Sequence, residues 1–259
     1  DINSFTQNNI IPGFYHEIDY LDLHIASILN LKDVEVDKIR NCNFKIVVDG
    51  INSSGGIYVP FLLSKLGVDV IKLNCTPNGV FAHNPEPSPV NLIDLCTQVR
   101  EHKADIGIAV DPDVDRLVFV CEDGTCLSEE YTIVAISQYI LSKYSNSTVV
   151  SNLSTTKALR DIALALNAHH FESAVGEINV VELMKIKNAI IGGEGSGGII
   201  FPSSHYGRDA LVGIALFLSH LSICKKSMTE LRSSLPNYYM FKSKVPIDKD
   251  HEIDFESYI

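Results

Sequence analysis

Apolar residues fall into short continuous runs and longer amphipathic stretches that alternate along the chain. Phe44–Asp49 is an apolar run of strand length, Val68–Cys75 reads as the next strand, Ile106–Val110 leads as an apolar run into an acidic loop, and LVFVC at 117–121 reads as another strand. Between them, GGIYVPFLLSKLG at 55–67 reads as a helix opened by glycines. Asn91–Lys103 places Leu92, Leu95, Cys96 and Val99 on one helical face. A helical stretch, HEIDYLDLHIASILNL, precedes the first strand. Strand–helix–strand–helix–strand is the signature of a wound α/β domain. A second unit of similar size follows. It has a helix at Tyr131–Tyr144, strands at Thr148–Leu153, His170–Val175 and Ala189–Gly193, and helices at Thr155–Leu166, Asn179–Lys187 and Arg208–Leu221. The pattern predicts an α/β fold of two successive domains, residues 1–129 and 130–236, with mixed, mainly parallel sheets covered by helices. Their hinge falls near Ser128–Tyr131. The polar start up to Pro12-Gly13 reads as an arm or linker, and 237–259 as a strand and linker. No sequence repeat relates the two units.

The chemistry concentrates in two loops. In DPDVDR, Asp111, Asp113 and Asp115 alternate between apolar strands and Arg116 follows at once. Alternation on an extended or looped backbone turns the three carboxylates to one side, where they repel one another. A divalent cation removes that penalty, and an all-oxygen donor set favours Mg²⁺, Mn²⁺ or Ca²⁺ over a thiolate metal. Three carboxylates leave such an ion under-coordinated, so a phosphate is a natural further ligand. Arg116 can hold an anion or lock one aspartate. A solvated acidic turn is the bland alternative. An EF-hand fits poorly, because Arg116 stands where its loop needs glycine and the flanks read as strands.

The second loop is GGEGSGG at 192–198, where glycines let backbone approach a ligand closely. Glu194 and Ser196 are spaced to point into one cleft, a pair suited to adjacent sugar hydroxyls; a glycine-rich hairpin with a surface Glu194 is the alternative. Arg208, entering an apolar helix, is either an anion clamp or a first-turn surface charge. Ser53 and Ser54 sit in a strand–glycine–helix turn that could hold an anion, although a plain turn explains it better. His169 and His170 are neighbours on a strand and point to opposite faces, which argues against a shared metal.

These two loops, in this order, resemble those of the α-D-phosphohexomutase family. Asp111, Asp113, Asp115 and Arg116 match its metal-binding loop, written DGDGDR or DADADR. Glu194, Ser196 and Gly197 match its GExSG sugar-recognition loop. VVDGINSSGG at 47–56 resembles the start of the family's second domain, and FAHNPEPSPVNL at 81–92 its FPNHNPEPTPENL-like segment. AVGEINVVELMK at 174–185 sits where VGDxxV-like sequence precedes the sugar loop. The resemblance implies two α/β domains equivalent to the middle pair of a four-domain, cytoplasmic enzyme. It implies Mg²⁺ on Asp111, Asp113 and Asp115, with Arg116 in support and no catalytic serine loop of the TASHNP type in this sequence. Glu194 and Ser196 would grip the hydroxyls of a hexose phosphate in either orientation, with Arg208 a secondary contact. The implied reaction is phosphoryl exchange through a phosphoserine and a hexose bisphosphate. An RxSGTEP-like phosphate loop is not found either, so the chain reads as a fragment that is inactive alone. Gly198 replaces a frequent histidine and Glu177 a frequent aspartate. Both lean toward phosphoglucosamine mutases over phosphomannomutases or phosphoglucomutases. A non-catalytic sugar-phosphate-binding protein is the other class.

Composition narrows the partners. A hydrophobic content of 46% suits a globular chain of 259 residues with real cores. The net charge of −11 argues against nucleic-acid binding through a basic surface. It also leaves the positive field for an anionic sugar to a metal and a few local cations. No apolar run of membrane-spanning length occurs, so no membrane role is expected. Cys42, Cys75, Cys96, Cys121, Cys126 and Cys224 show no C-x-x-C pairing and read as free thiols. Cys121 and Cys126 flank the Asp123-Gly124 turn and are placed to face each other across a hairpin.

Overall fold

A computed structural model describes residues 20–240. The N-terminal arm and nearly all of the 237–259 segment lie outside the described residues. Two helices, α1 (Leu21–Leu29) and α2 (Val36–Arg40), lead into the first sheet. That sheet carries β1 (Lys45–Asp49), β2 (Asp69–Leu73), β3 (Ile106–Val110) and β4 (Leu117–Cys121), with α3 (Gly55–Lys65) and α4 (Ile93–His102) in the crossovers. Its strand order is β2-β1-β3-β4; β1 pairs in parallel with both β2 and β3, and β4 closes antiparallel on β3.

The second sheet repeats this plan. After α5 (Glu129–Lys143) come β5 (Thr148–Asn152), α6 (Ala158–Ala165), β6 (His169–Ser173), α7 (Glu177–Lys187), β7 (Ile191–Glu194) and β8 (Gly198–Ile200). The order is β6-β5-β7-β8, again parallel except for the last pair. Each unit is therefore a mixed α/β domain, as the periodicity predicts. The metal-candidate loop joins β3 to β4 and the glycine-rich loop joins β7 to β8. The two chemical loops occupy equivalent hairpins of two topologically equivalent sheets.

The helix α8 (Ala210–Cys224) explains how the sheets are held together. It is apolar on all sides, and every residue from Ala210 to Ser222 is buried. It packs against α1, α2 and α3 of the first unit, α5 and β8 of the second, and β4. Phe217 of α8 stacks on Phe119 of β4 with ring centroids 3.8 Å apart. One continuous core thus runs through both units, while the outer sheet faces carry smaller clusters. His220 is buried in this core and stacks on Tyr139 of α5 at 5.6 Å. Burial drives its imidazole down to about 4, so it is held neutral. A short helix, α9 (Met228–Ser234), follows with a capping box between Ser227 and Glu230.

Among the described residues no single helix is long and apolar enough to cross a membrane. The thiol expectation needs correcting. Cys121 points into the main core, whereas Cys126 lies on the opposite face of the sheet, and its Sγ is 3.5 Å from that of Cys96 in α4. The hairpin register causes this, because Val120 pairs with Cys126 and the Cys121 amide donates to the Thr125 carbonyl. All six cysteines are free.

Candidate functional site

The metal-candidate loop is a tight turn and not an extended strand. Asp111 is buried at the end of β3, and the Val114 amide donates to its carbonyl at 3.2 Å. Val114 takes a left-handed φ of 63°, a strained choice for a β-branched residue. Asp111 Oδ1 accepts the amides of Asp115 at 3.1 Å and Arg116 at 3.0 Å. Two hydroxyls hold the loop from outside: Ser53 and Ser54 both donate to the Pro112 carbonyl, at 2.8 and 2.6 Å. The INSSGG turn, which sequence reading treats as a plain turn, is thereby a brace for the aspartate loop.

Folding the loop this way brings one carboxylate oxygen from each of Asp111, Asp113 and Asp115 within 4.8 Å of the others. Asp113 is exposed, and its carboxylate has no hydrogen-bond partner among the described residues. Asp115 Oδ1 is buried without a hydrogen bond, a polar atom that a cation would satisfy. Burial and then Asp111 push the Asp115 carboxyl above its ordinary range. Burial acts the same way on Asp111, but the backbone and side-chain hydrogen bonds of Arg116 outweigh it and hold that carboxyl low. An all-carboxylate set with one unmet buried oxygen fits a hard divalent ion such as Mg²⁺.

Arg116 is locked. Its Nε donates to Asp111 at 2.7 Å and its Nη1 to Glu86 at 2.8 Å. Glu86 belongs to the HNPEP stretch, whose His83 reaches the buried Asp49 at the end of β1 at 3.0 Å. This loop thereby ties the end of β1 to the aspartate turn, through contacts that no spacing in the sequence reveals.

The glycine-rich loop meets the aspartate loop directly. Leu117 donates to the Gly197 carbonyl at 3.1 Å, and Arg116 forms an antiparallel bridge with Gly198. Gly197 has φ 96°, and a Cβ there would lie 2.6 Å from the Leu117 carbonyl oxygen. A Cβ at Gly198 would strike Arg208 at 2.4 Å. Glycine is thus required for the close approach of the two hairpins. Glu194 is buried at the end of β7, where Asn152 of β5 donates to its Oε1 at 2.8 Å. Ser196 is half-exposed and its hydroxyl has no partner among the described residues, so it is free for a ligand.

Arg208 joins the two loops. Its Nη1 donates to Glu194 at 2.8 Å, and its Nη2 donates to Asp115. Its Nε lies 3.2 Å from Glu177 Oε2 without good hydrogen-bond alignment, while the Arg208 amide donates to Glu177 Oε1 at 3.0 Å. One guanidinium therefore neutralises acids from the aspartate loop, the glycine-rich hairpin and the start of α7. Asp111, Asp113, Asp115, Arg116, Glu194 and Arg208 converge, with Ser196 on the same hairpin. Asn152, Glu86, Ser53 and Ser54 complete the setting. His169 and His170 do not join it: His169 bonds Asn146 and His170 bonds Ser151.

Residues 22–124 match the profile of the phosphoglucomutase/phosphomannomutase alpha/beta/alpha domain II, and residues 128–239 that of domain III. A phosphoglucomutase/phosphomannomutase of Thermococcus kodakarensis is 34% identical over 241 residues, which is 93% of this chain and 52% of that protein. A probable phosphoglucosamine mutase of Methanopyrus kandleri is 30% identical over 87% of this chain and 49% of its own length. A crystal structure of a phosphoglucomutase/phosphomannomutase family protein from Burkholderia thailandensis superposes with a TM-score of 0.77 at 26% identity. That match covers 87% of this chain and 48% of the Burkholderia chain. The chain spans about half the length of the curated relatives it matches. Matched along nearly all of its described length by two consecutive family domains, the chain belongs to the α-D-phosphohexomutase (phosphoglucomutase/phosphomannomutase) family.

Proposed function

We propose that these two domains form the metal- and sugar-binding half of a cytoplasmic phosphohexomutase, with the domain boundary at residues 129/130. The reaction would move phosphate between the 1- and 6-positions of a hexose phosphate through a phosphoserine and a bisphosphate. The convergence of the aspartate hairpin and the GEGSGG hairpin, clasped by Arg208, carries this reading. Asp111, Asp113 and Asp115 would hold Mg²⁺, which when bound supplies charge neutralisation at a transferring phosphoryl group. Arg116, fixed by Asp111 and Glu86, keeps the loop in shape and presents a remaining N–H edge to an anion. Glu194 accepts from sugar hydroxyls, and Ser196 can donate or accept. Each sugar hydroxyl can both donate and accept, so either of two adjacent hydroxyls can donate to Glu194 while the other exchanges a hydrogen bond with Ser196. The pair can therefore grip the same hydroxyls when the ring is reversed between the two half-reactions. Arg208, which donates to Asp115 and Glu194, would be freed from Asp115 were a metal held on that carboxylate, and could then bind a substrate anion.

Several relatives carry the name phosphoglucosamine mutase, and the GEGSGG loop with Glu177 leans the same way. The substrate we favour is accordingly glucosamine phosphate, with mannose and glucose phosphates as alternatives. The phosphate-carrying serine is expected in a part of the parent protein beyond this sequence. Ser53 and Ser54 are poor substitutes, since both hydroxyls are committed to Pro112. A coupled assay of the full-length parent with the three hexose phosphates and a bisphosphate activator tests the proposal. Asp113→Ala is expected to lower turnover about a hundredfold or more, and the present chain alone to be silent. Turnover in the parent that is unchanged by Asp113→Ala and Glu194→Gln would refute it.

A further inference from the structure

A second cluster of ligating groups lies outside the proposed active site, where α1 meets the start of α8. His24 Nε2 is 2.9 Å and His205 Nε2 is 3.0 Å from the same oxygen, Oδ2 of Asp209. The two rings are tilted by 49° with centroids 6.1 Å apart, so they converge on the carboxylate and do not stack. The other oxygen, Oδ1, is fixed by the amides of Leu211 at 2.8 Å and Val212 at 3.0 Å. Each of the three side chains is therefore positioned by a different part of the chain: His24 by α1, His205 by the loop after β8, Asp209 by the cap of α8.

The geometry points to a binding site for a borderline transition metal, Zn²⁺ foremost, on His24, His205 and Asp209. The ligand atoms of all three lie within 4.8 Å of one another. Zn–N and Zn–O bonds of about 2.0–2.1 Å at a tetrahedral angle place donor atoms about 3.3 Å apart. The observed nitrogen–oxygen separations approach that spacing and the two imidazoles converge on one oxygen, so a metal would enter on a rearrangement of the two histidine side chains. Two imidazoles and one carboxylate suit Zn²⁺, where the all-oxygen aspartate loop suits Mg²⁺. The backbone amides on Oδ1 orient the carboxylate as outer partners do in metal sites. The side chains of His24 and His205 are 36% and 44% exposed, which gives an entry path and room for water as a fourth ligand. Asp209 follows Arg208 in sequence, so an ion there would tie α1 to the backbone that carries the arginine clasp.

The test uses the whole chain, freed of metal by a chelator and dialysis. Zn²⁺ is titrated calorimetrically in excess Mg²⁺, and Co²⁺ is followed by its visible d–d absorption. One Zn²⁺ per chain should bind despite Mg²⁺, with a tetrahedral-type Co²⁺ band. His24→Ala and His205→Asn should each weaken Zn²⁺ about tenfold or more. They should also abolish the rise in thermal midpoint that Zn²⁺ gives the unaltered protein. Asp113→Ala and Cys96→Ser should leave Zn²⁺ binding unchanged. Binding that survives both histidine changes, or that disappears with Asp113→Ala or with Cys96→Ser, would overturn the assignment, as would no saturable binding at all.

Discussion

Arg208 is the residue on which the site turns. It meets Asp115, Glu194 and Glu177 at once, and is about one-fifth exposed. In this arrangement the guanidinium is the cation that keeps the two acidic loops compatible with each other. A metal at Asp115 would compete with it. Arg208→Ala should therefore tighten Mg²⁺ binding by about threefold to tenfold, because a competing charge is gone. It should also lower stability by about 1–3 kcal/mol, because the buried Glu194 loses a partner. Calorimetry and urea unfolding on the same preparations check both signs; a variant that weakens Mg²⁺ would show Arg208 supporting the metal. Sequence reading reaches Arg208 only as an even choice between clamp and surface charge. The spacing from Glu194 carries no information about a contact made from 93 residues away at Asp115. The same is true of Asn152 and Glu86, whose roles depend on which strand ends lie side by side.

The elements that matter most are the two hairpins, β3–β4 and β7–β8. Their tips pair through Arg116 and Gly198, and the glycine count of the second loop serves that approach. Gly197→Ala combines a strained φ of 96° with a contact at 2.6 Å to backbone, so it should cost about 2 kcal/mol. Denaturant unfolding measures the loss, and a change within about 0.5 kcal/mol of zero would show that the hairpins do not need this approach. Most elements were legible from periodicity. The strands β1 and β3 lie in apolar runs, β2, β5 and β7 in shorter apolar stretches broken by polar residues or glycine, and α8 in an apolar stretch too long for a strand. The three-residue β8 was not legible, because a glycine and two isoleucines carry no alternation to count. The short α9 has a legible start in its S-x-x-E capping signal at 227–230, but at seven residues it is too short to show a helical period. Cys121 and Cys126 show a different limit. Flanking a turn in sequence does not decide facing, since one step of register moves a side chain to the other side of the sheet.

At the scale of the molecule, two sheets of identical strand order share one core through α8, with no sequence repeat to announce the symmetry. Topology is preserved by which positions are apolar, and many residues satisfy that condition, so the repeat is visible only in the fold. The shared core also contains His220, held neutral by burial at about 4 against an ordinary value of 6.5. A depressed folded-state value means that its contribution is present above pH 6.5 and is lost as pH falls toward 4. Between about pH 7.5 and pH 5 this amounts to about 2 kcal/mol. His24, raised chiefly by its hydrogen bond to Asp209, acts in the opposite sense: its contribution is present below its unfolded value and fades as pH rises through the folded one. Urea unfolding of wild type and His220→Phe at the two pH values isolates the His220 part. The variant should lose about 2 kcal/mol less on acidification, and equal losses would show that His220 is not held neutral.

The convergence of the aspartate and glycine-rich hairpins on one ligand is tested most directly by thermodynamic coupling. A hexose 1,6-bisphosphate is titrated into the protein with and without saturating Mg²⁺, in wild type, Asp113→Ala and Glu194→Gln. A shared site predicts that Mg²⁺ tightens the bisphosphate in wild type by about tenfold, that Asp113→Ala removes this gain, and that Glu194→Gln weakens binding with or without the ion. Bisphosphate affinity that ignores Mg²⁺ in wild type, or that is untouched by Glu194→Gln, would contradict it.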